Sequence, residues 1–155
     1  MGAPSLDQWR KHLPNQFFAA GISEQNAINF ASGMAAVYTT CFALLKAGDH
    51  IVSDWTTYSS THEMFDHRLP DFDIKTTFVD TTNISEVEKS LTDKTRMIYF
   101  ETIANPTMRV AAIPPLIDLA NDHGVLVVCD NTFASPYLIR PLDWGVDIVV
   151  ESATK

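Results

Sequence analysis

The sequence predicts an α/β fold in which helices cover both faces of a mostly parallel sheet. Short apolar runs rich in β-branched residues recur along the chain, and helical patterns separate them. These runs are continuously apolar, which is typical of strands buried on both faces. With 155 residues, 46% of them hydrophobic and 19% charged, the chain is long enough for one domain with a sizeable core.

The pattern is weak at the start of the chain and clear from residue 30 onward. Residues 1–29 form a poorly defined segment in which only a loose helix near Leu6–Leu13 is predicted. Ser32-Gly33 is expected to begin an apolar helix over residues 34–46, and Gly48 ends it. Residues 30–155 are therefore interpreted as the folded domain.

The rest of the chain alternates between predicted strands and predicted helices. Pro114 begins the last clear helix and Gly124 ends it. The predicted strands are 51–53, 74–79, 97–100, 125–129 and 147–150, and the other predicted helices are 58–68, 84–91 and 114–123.

Charge and composition exclude several classes of partner. The formal net charge is −8 and no cluster of Lys or Arg occurs, which argues against nucleic acid and anionic membranes. No uncharged apolar stretch approaches the ~18 residues of a membrane helix, and the N-terminus lacks a signal-peptide pattern. Cys41 and Cys129 lie far apart in apolar stretches, as expected of reduced core thiols. A soluble cytoplasmic protein is expected.

Polar residues follow four of the predicted strands. In parallel sheets, ligands bind beyond the carboxyl ends of the strands. The residues in those positions are 54–58, 101–105, 130–131 and 151–155. We expect these four groups to converge on one site.

Each candidate residue has an ordinary structural interpretation beside the functional one. Ser32-Gly33-Met34 is either a common helix cap or a phosphate site at a helix N-terminus. Asp130 either forms an Asx turn with Asn131 or pairs with a protonated ring nitrogen. No G-x-G-x-x-G or G-x-x-x-x-G-K-[ST] motif occurs, so a nucleotide site has no motif support.

The remaining candidates are an aromatic ring, an amide and an amine. Tyr58 is either a half-buried aromatic side chain or a ring that stacks on a flat cofactor. Asn105 precedes Pro106, so it must leave the helical region and could also donate to a ligand. Lys155, after Ser152 and Thr154, could hold a phosphorylated aldehyde as a Schiff base.

No metal site is predicted. His62 and His67 form H-E-x-x-x-H, which is one residue longer than the spacing that places two rings on one helix face.

Four segments in order resemble the signatures of a known enzyme family. They are 30–36 (FASGMAA), 99–107 (YFETIANPT), 128–137 (VCDNTFASPY) and 152–155 (SATK). Together they resemble the cysteine/methionine-metabolism family of pyridoxal-phosphate (PLP) enzymes. That family includes cystathionine γ-synthase, cystathionine β- and γ-lyases, methionine γ-lyase and O-acetylhomoserine sulfhydrylase.

The resemblance implies a fold and a set of roles. The chain would form part of the large PLP-binding domain of fold-type I, aspartate aminotransferase-like enzymes. Lys155 and Tyr58 would be catalytic, with Lys155 the Schiff-base lysine and Tyr58 stacked on the ring. Asp130 would hold the ring nitrogen protonated, and Asn105 would lie near the phenolic oxygen. The implied phosphate ligands are Ser32, Gly33, Met34, Ser152 and Thr154.

The implied reaction eliminates or replaces a group at Cβ or Cγ of an amino acid such as cystathionine, methionine or an O-acylated homoserine. The complete enzyme would be a homo-oligomer, a dimer or a tetramer, that acts on this small-molecule substrate.

Three features depart from the family pattern. Residues 1–29 lack the Tyr-x-Arg pair that reaches a neighbouring subunit, and we expect these 155 residues not to include the small C-terminal domain with its substrate-binding arginine. Ser60 stands where methionine γ-lyases often have cysteine. The alternative is therefore a truncated, non-catalytic remnant that binds PLP weakly or serves as an assembly partner. The sheet pattern alone would also allow a flavodoxin-like or nucleotide-binding domain.

Overall fold

The computed structural model describes residues 26–152, with side chains from residue 33 onward. The predicted helix near Leu6–Leu13 lies outside this range. The helices are α1 Asn26–Leu44, α2 Ser59–Glu63, α3 Ile84–Ser90, α4 Ile113–His123 and the short α5 Ser135–Leu138. The strands are β1 His50–Asp54, β2 Lys75–Val79, β3 Thr95–Glu101, β4 Leu126–Asp130 and β5 Ile148–Val150.

The five strands form one parallel sheet in the order β2-β1-β3-β4-β5. The register places Glu101 opposite Asp130, and Asp130 opposite Val150. Parallel neighbours need a crossover connection, and a helix forms most of these connections. The predicted parallel sheet is confirmed.

The core consists of two apolar layers, one on each face of the sheet. On the first face, Val52, Ile98 and Val127 pack with α3 and α4. On the second face, Ile51 and Tyr99 pack with α1 and with residues 64–69. Successive strand side chains alternate between these layers, and the continuously apolar strands follow from burial on both sides.

The start of α1 is a correction to the sequence analysis. The helix begins at Asn26, so Ser32, Gly33 and Met34 lie inside it rather than at its N-terminus. The sequence supports the longer helix, because Ala27, Phe30, Ala31 and Met34 have the i, i+3, i+4, i+7 spacing of an apolar helix face. A glycine inside a helix is tolerated at about 1 kcal/mol relative to alanine.

Most other predicted elements match within one or two residues. The predicted helix over 58–68 is α2 followed by a π-helical turn, Met64–Arg68, and a 3₁₀ turn, Leu69–Phe72. Helix α5 and the 3₁₀ turn Pro141–Trp144 have no counterpart among the predicted elements. Among the described residues, no helix is both long and apolar enough to cross a membrane.

Candidate functional site

Acidic residues end three neighbouring strands and follow the fourth. Asp54 ends β1, Glu101 ends β3, Asp130 ends β4, and Glu151 follows β5 directly. These strands are adjacent in the sheet, so their carboxyl ends lie along one edge. The predicted convergence of the four polar groups is found there for their described members, which in the last group are residues 151–152. By strand alternation, Glu101 and Asp130 lie on the face that α1 covers.

Asp130 uses its two carboxylate oxygens differently. Oδ1 accepts a hydrogen bond from the Thr132 N–H at 2.9 Å, while Oδ2 lies 3.5 Å from the Tyr99 hydroxyl oxygen. Of the two interpretations of Asp130, the Asx turn is therefore present, with Thr132 as the donor. Burial raises the pKa of Asp130, with the Thr132 and Tyr99 hydrogen bonds acting in the opposite direction. A cation beside Oδ2 would favour the charged form.

Glu101 connects two of the predicted site residues. Its Oε1 accepts a hydrogen bond from the Tyr58 N–H at 2.5 Å, and its Oε2 accepts one from the Asn105 N–H at 2.9 Å. The pKa of Glu101 is raised to about 7, mainly by burial; the charges of Asp130 and Asp54 act in the same direction, and the two hydrogen bonds act against it. The sequence places Glu101 in one of the polar groups but predicts no role for it. The signal was an acidic residue at the end of an apolar strand.

Gly33 and Ser152 approach each other from distant parts of the chain. A Cβ placed on Gly33 would lie 2.9 Å from both Cβ and Oγ of Ser152, which is closer than real side chains come. The structure thus brings together two of the predicted phosphate ligands. Because Gly33 lies inside α1, however, it does not present the amides of a helix N-terminus. Met34 is nearby, with its sulfur 3.8 Å from Thr61 Oγ1.

Asn131 and Thr132 hold the segment that follows β5. The Asn131 side-chain amide donates to Glu151 Oε1 at 2.9 Å and to the Ile139 carbonyl at 3.1 Å. The Ser152 N–H donates to Thr132 Oγ1 at 2.8 Å. The backbone entering the predicted Ser-x-Thr-Lys segment is therefore fixed by the two residues after Asp130. The sequence predicts Asn131 only as a member of the polar group 130–131 and of the Asx turn at Asp130, and it predicts no role for Thr132.

The predicted site residues that the structure describes are all partly exposed. They are Gly33, Met34, Tyr58, Asn105, Asp130 and Ser152. Ser32 lies in α1, but its side chain is outside the described part, as are Thr154 and Lys155. The cofactor contacts expected of these residues remain predictions.

Several features of this edge fit PLP. Three buried polar atoms have no hydrogen-bond partner among the described residues: Thr57 Oγ1, Thr102 Oγ1 and Asn131 Oδ1. Each belongs to a residue next to Tyr58, Glu101 or Asp130 in the sequence, and such atoms are normally satisfied by protein, water or ligand. The carboxylate of Asp130 suits a protonated ring nitrogen, and the approach of Gly33 to Ser152 needs a glycine. Within the described part, no group of three His, Cys, Asp or Glu residues could hold a metal ion.

Comparison with known proteins gives the same family as the sequence motifs. The family model of the Cys/Met metabolism PLP-dependent enzymes matches residues 15–155. The chain is 45% identical over 138 residues to an L-methionine γ-lyase of Fusobacterium nucleatum, covering 88% of this chain and 35% of that protein. It is 47% identical over 126 residues to a cystathionine β-lyase of Bacillus subtilis, covering 81% of this chain and 32% of that protein.

Solved structures with the same fold belong to related enzymes. Cystathionine γ-lyase from Lactobacillus plantarum, in complex with L-serine, has a TM-score of 0.75 and 43% identity over 77% of this chain and 31% of its own. An O-acetylhomoserine (thiol)-lyase described as putative, from Campylobacter jejuni, contains a pyridoxyl-lysine monophosphate. It has a TM-score of 0.77 and 32% identity over 79% of this chain and 30% of its own.

The chain thus spans about a third of the length of these relatives. The ordered motifs, the parallel sheet and the match over residues 15–155 agree with one another, and the chain belongs to the family of Cys/Met metabolism PLP-dependent enzymes.

Proposed function

We propose that this chain supplies the cofactor-binding part of a PLP-dependent lyase or transferase of sulfur amino acid metabolism. The observation that carries the proposal is the carboxylate of Asp130, whose Oδ2 has a single long contact, to Tyr99, within the part of the chain that the structure describes. It lies on the sheet edge next to Glu101, which binds the segments of Tyr58 and Asn105. Family membership supports the same assignment.

The bound cofactor would supply an electron sink for the negative charge that develops at the substrate Cα. Asp130 would keep the ring nitrogen protonated, since a carboxylate near the core gains most from an adjacent cation. Lys155 would hold the aldehyde carbon of the cofactor and, once released, its Nζ would carry the Cα proton. Tyr58 would stack on the ring and Asn105 would lie near the phenolic oxygen.

The phosphate would be held by hydroxyl groups and by backbone at the meeting point of α1 and the segment after β5. Ser152 and Thr154 would donate their hydroxyls, and Ser32, Gly33 and Met34 would line the same place. Because α1 begins at Asn26, Gly33 cannot offer the unpaired N–H groups of a helix N-terminus. Its proposed role is to leave space for Ser152 to lie against the helix.

The proposed substrate is a small amino acid that carries a leaving group at Cβ or Cγ. The similar proteins are named as lyases of methionine and cystathionine and as an O-acetylhomoserine (thiol)-lyase. Cystathionine, methionine and an O-acylated homoserine are therefore the candidate substrates for this chain.

We also propose a homo-oligomer in the cytoplasm. Several large apolar side chains are exposed, among them Tyr137 at 95% and Leu138 at 70%, and exposed apolar surface is typical of interaction sites. Both cysteines are free and buried, as in proteins of a reducing compartment. Analytical ultracentrifugation would measure the assembly state.

The direct test of the proposed function is to add PLP to the chain and to its Lys155→Ala variant. We expect the wild-type chain to develop the near-ultraviolet to visible absorbance of a lysine-bound pyridoxal group. The variant should lose it because the anchoring amine is gone. Borohydride reduction followed by peptide mass mapping should locate the added mass at Lys155.

Lys89→Ala, on the exposed surface of α3, is the matched control and should keep the absorbance. Labelling that is equal in wild type and Lys155→Ala would contradict the proposal. An assay with cystathionine then separates the two forms of the hypothesis. PLP binding without turnover would favour the non-catalytic remnant, and PLP binding with turnover would favour the enzyme.

A further inference from the structure

We propose that Glu101 is a positioning residue whose carboxylate joins the segments carrying Tyr58 and Asn105 into one wall of the cofactor site. This inference rests on the proposed function, because it assigns Glu101 a role in placing two residues on the cofactor. Glu101 itself is buried, with 7% exposure, whereas Tyr58 and Asn105 are partly exposed. It therefore acts through those two residues and not by touching the cofactor.

The Glu101 carboxylate accepts one hydrogen bond from each of two loops. Glu101 ends β3 and lies opposite Asp130 in the sheet. Its Oε1 accepts the N–H of Tyr58, the residue immediately before α2. Its Oε2 accepts the N–H of Asn105, in the segment that follows β3. Because each oxygen binds a different segment, movement of one loop relative to the other would break a hydrogen bond.

The two hydrogen bonds require a carboxylate of this length. An ionised carboxylate has two acceptor oxygens and no donor, which matches two N–H groups. Glutamine offers a single acceptor, and its NH₂ group would face one of the two N–H donors. Aspartate keeps the charge but is shorter by one methylene, so it would reach at most one of the two amides.

An acid at this position is a poor choice for stability alone. Glu101 is buried beside Asp130, and both Asp130 and Asp54 disfavour its charged form. A buried charge without a cationic partner costs free energy, and a neutral residue would avoid that cost. The benefit is the fixed position of Tyr58 and Asn105, beside the carboxylate that would meet the ring nitrogen.

The test compares Glu101→Gln with wild type by two measurements. Amide hydrogen exchange reports directly on the N–H groups of Tyr58 and Asn105, and PLP titration followed by absorbance reports the dissociation constant. Loss of one buried hydrogen bond to a charged group should speed exchange of at least one of these amides by about tenfold or more. The PLP dissociation constant should rise by about tenfold, and the absorbance maximum should shift because Asn105 would no longer be fixed near the phenolic oxygen.

Glu88→Gln makes the same substitution on the exposed face of α3 and should change none of these values. If Glu101→Gln fails to fold, Glu101→Asp gives the same test, with faster exchange at one of the two amides. Unchanged exchange at both amides, or PLP binding equal to wild type in spectrum and affinity, would overturn the inference alone. A wild-type chain that takes up no PLP would overturn the proposed function, and the inference with it.

Discussion

At the scale of single residues, the contact of Gly33 with Ser152 is the most demanding feature of the site. The space at Gly33 is already filled by the Cβ and Oγ of Ser152. The helical backbone at Gly33 would accept a side chain. A larger residue is therefore excluded by the nearby Ser152 and not by the backbone conformation. Gly124 has the opposite constraint, with φ of +65° and open space around it.

These two glycines give a paired prediction. Gly33→Ala should weaken PLP binding by about tenfold or more, because the new methyl group must displace Ser152. Its effect on stability should be small, since alanine favours the helix by about 1 kcal/mol and the crowding opposes that gain. Gly124→Ala should lower the free energy of unfolding by about 1 kcal/mol and leave PLP affinity unchanged. PLP titration and urea unfolding of both variants measure these effects. Equal PLP affinity in wild type and Gly33→Ala would refute the first expectation.

The residue scale also shows where sequence reasoning stops. Asp130 could be selected because an acid that ends an apolar strand is conspicuous, and its Asx turn is a local interaction. The role of Glu101 could not be derived in the same way. Its partners are backbone N–H groups, which carry no residue-specific signal, and one of them is far away in the sequence. The Gly33–Ser152 approach depends on tertiary packing.

At the scale of elements, Asp54 fixes the loop between β1 and α2 to the loop after β2. Its Oδ1 accepts the N–H of Thr56 at 2.7 Å and also the Thr56 hydroxyl. Its Oδ2 accepts the N–H of Thr81 at 3.1 Å and also the Thr81 hydroxyl. All three residues are buried. This network determines the start of the segment that leads to Tyr58.

Asp54→Asn should therefore destabilise the fold. Asparagine has one acceptor oxygen, so the N–H and the hydroxyl of either Thr56 or Thr81 would lose their acceptor in a buried place. We expect the free energy of unfolding to fall by about 1–3 kcal/mol, measured as a lower urea midpoint with an unchanged slope. Asp122→Asn, on an exposed position of α4, is the control. A midpoint equal to that of the control would show that the Asp54 network contributes nothing.

Elements with a strong internal pattern were predictable, and those with competing patterns were not. The five strands are short, apolar and bounded by turn residues, and each was placed within one or two residues. The start of α1 was wrong because Ser32-Gly33 resembles a helix boundary, while the apolar spacing from Ala27 continues through it. Nothing in the helical pattern of residues 58–68 indicates the change to a π-helical turn at Met64.

At the scale of the whole molecule, one titratable group lies at each end of the parallel strands. Protonation of His50 and protonation of Glu101 have opposite effects on stability. At the edge opposite the site, His50 Nδ1 lies 2.8 Å from Thr95 Oγ1, and Nε2 lies 2.8 Å from Thr77 Oγ1. Burial lowers the pKa of His50. The unfolded chain, in which the pKa is about 6.5, then binds more protons, so the His50 contribution is full above pH 6.5 and is lost as the pH falls.

The contribution of Glu101 to stability changes with pH in the opposite direction. Its pKa is raised from 4.5 to about 7, so its contribution to stability is full below pH 4.5 and is lost as the pH rises through 7. Between pH 4.5 and 6.5 the two contributions change in opposite directions, so each reduces the pH dependence that the other gives to the wild-type chain.

A His50→Gln variant separates the two effects. The difference in unfolding free energy between wild type and His50→Gln should shrink or reverse as the pH is lowered from 7 to 5, since Glu101 is common to both chains. Urea unfolding at several pH values gives this difference. His67→Gln makes the same substitution at an exposed histidine and is the matched control. Parallel curves for wild type and His50→Gln would rule out the His50 effect.

The fold class was predictable for a reason that belongs to this scale. A chain that alternates apolar strands with helices has few ways to bury all of its strands, and a parallel sheet between two helical layers is the usual one. The strand order is less constrained, because β1 lies between β2 and β3 in space while preceding both in the chain.

The meeting of α1 with the segment after β5 has a consequence for folding. Gly33 and Ser152 stand near opposite ends of the described chain, so their contact closes a loop that contains all five strands. Contacts of such large sequence separation form late, because the long loop between them must close first. A ligand that binds across this junction binds only the finished fold, and it would raise the free energy of unfolding in proportion to the logarithm of its concentration. PLP bound across this junction would then lower the population of the open chain that a protease can cleave.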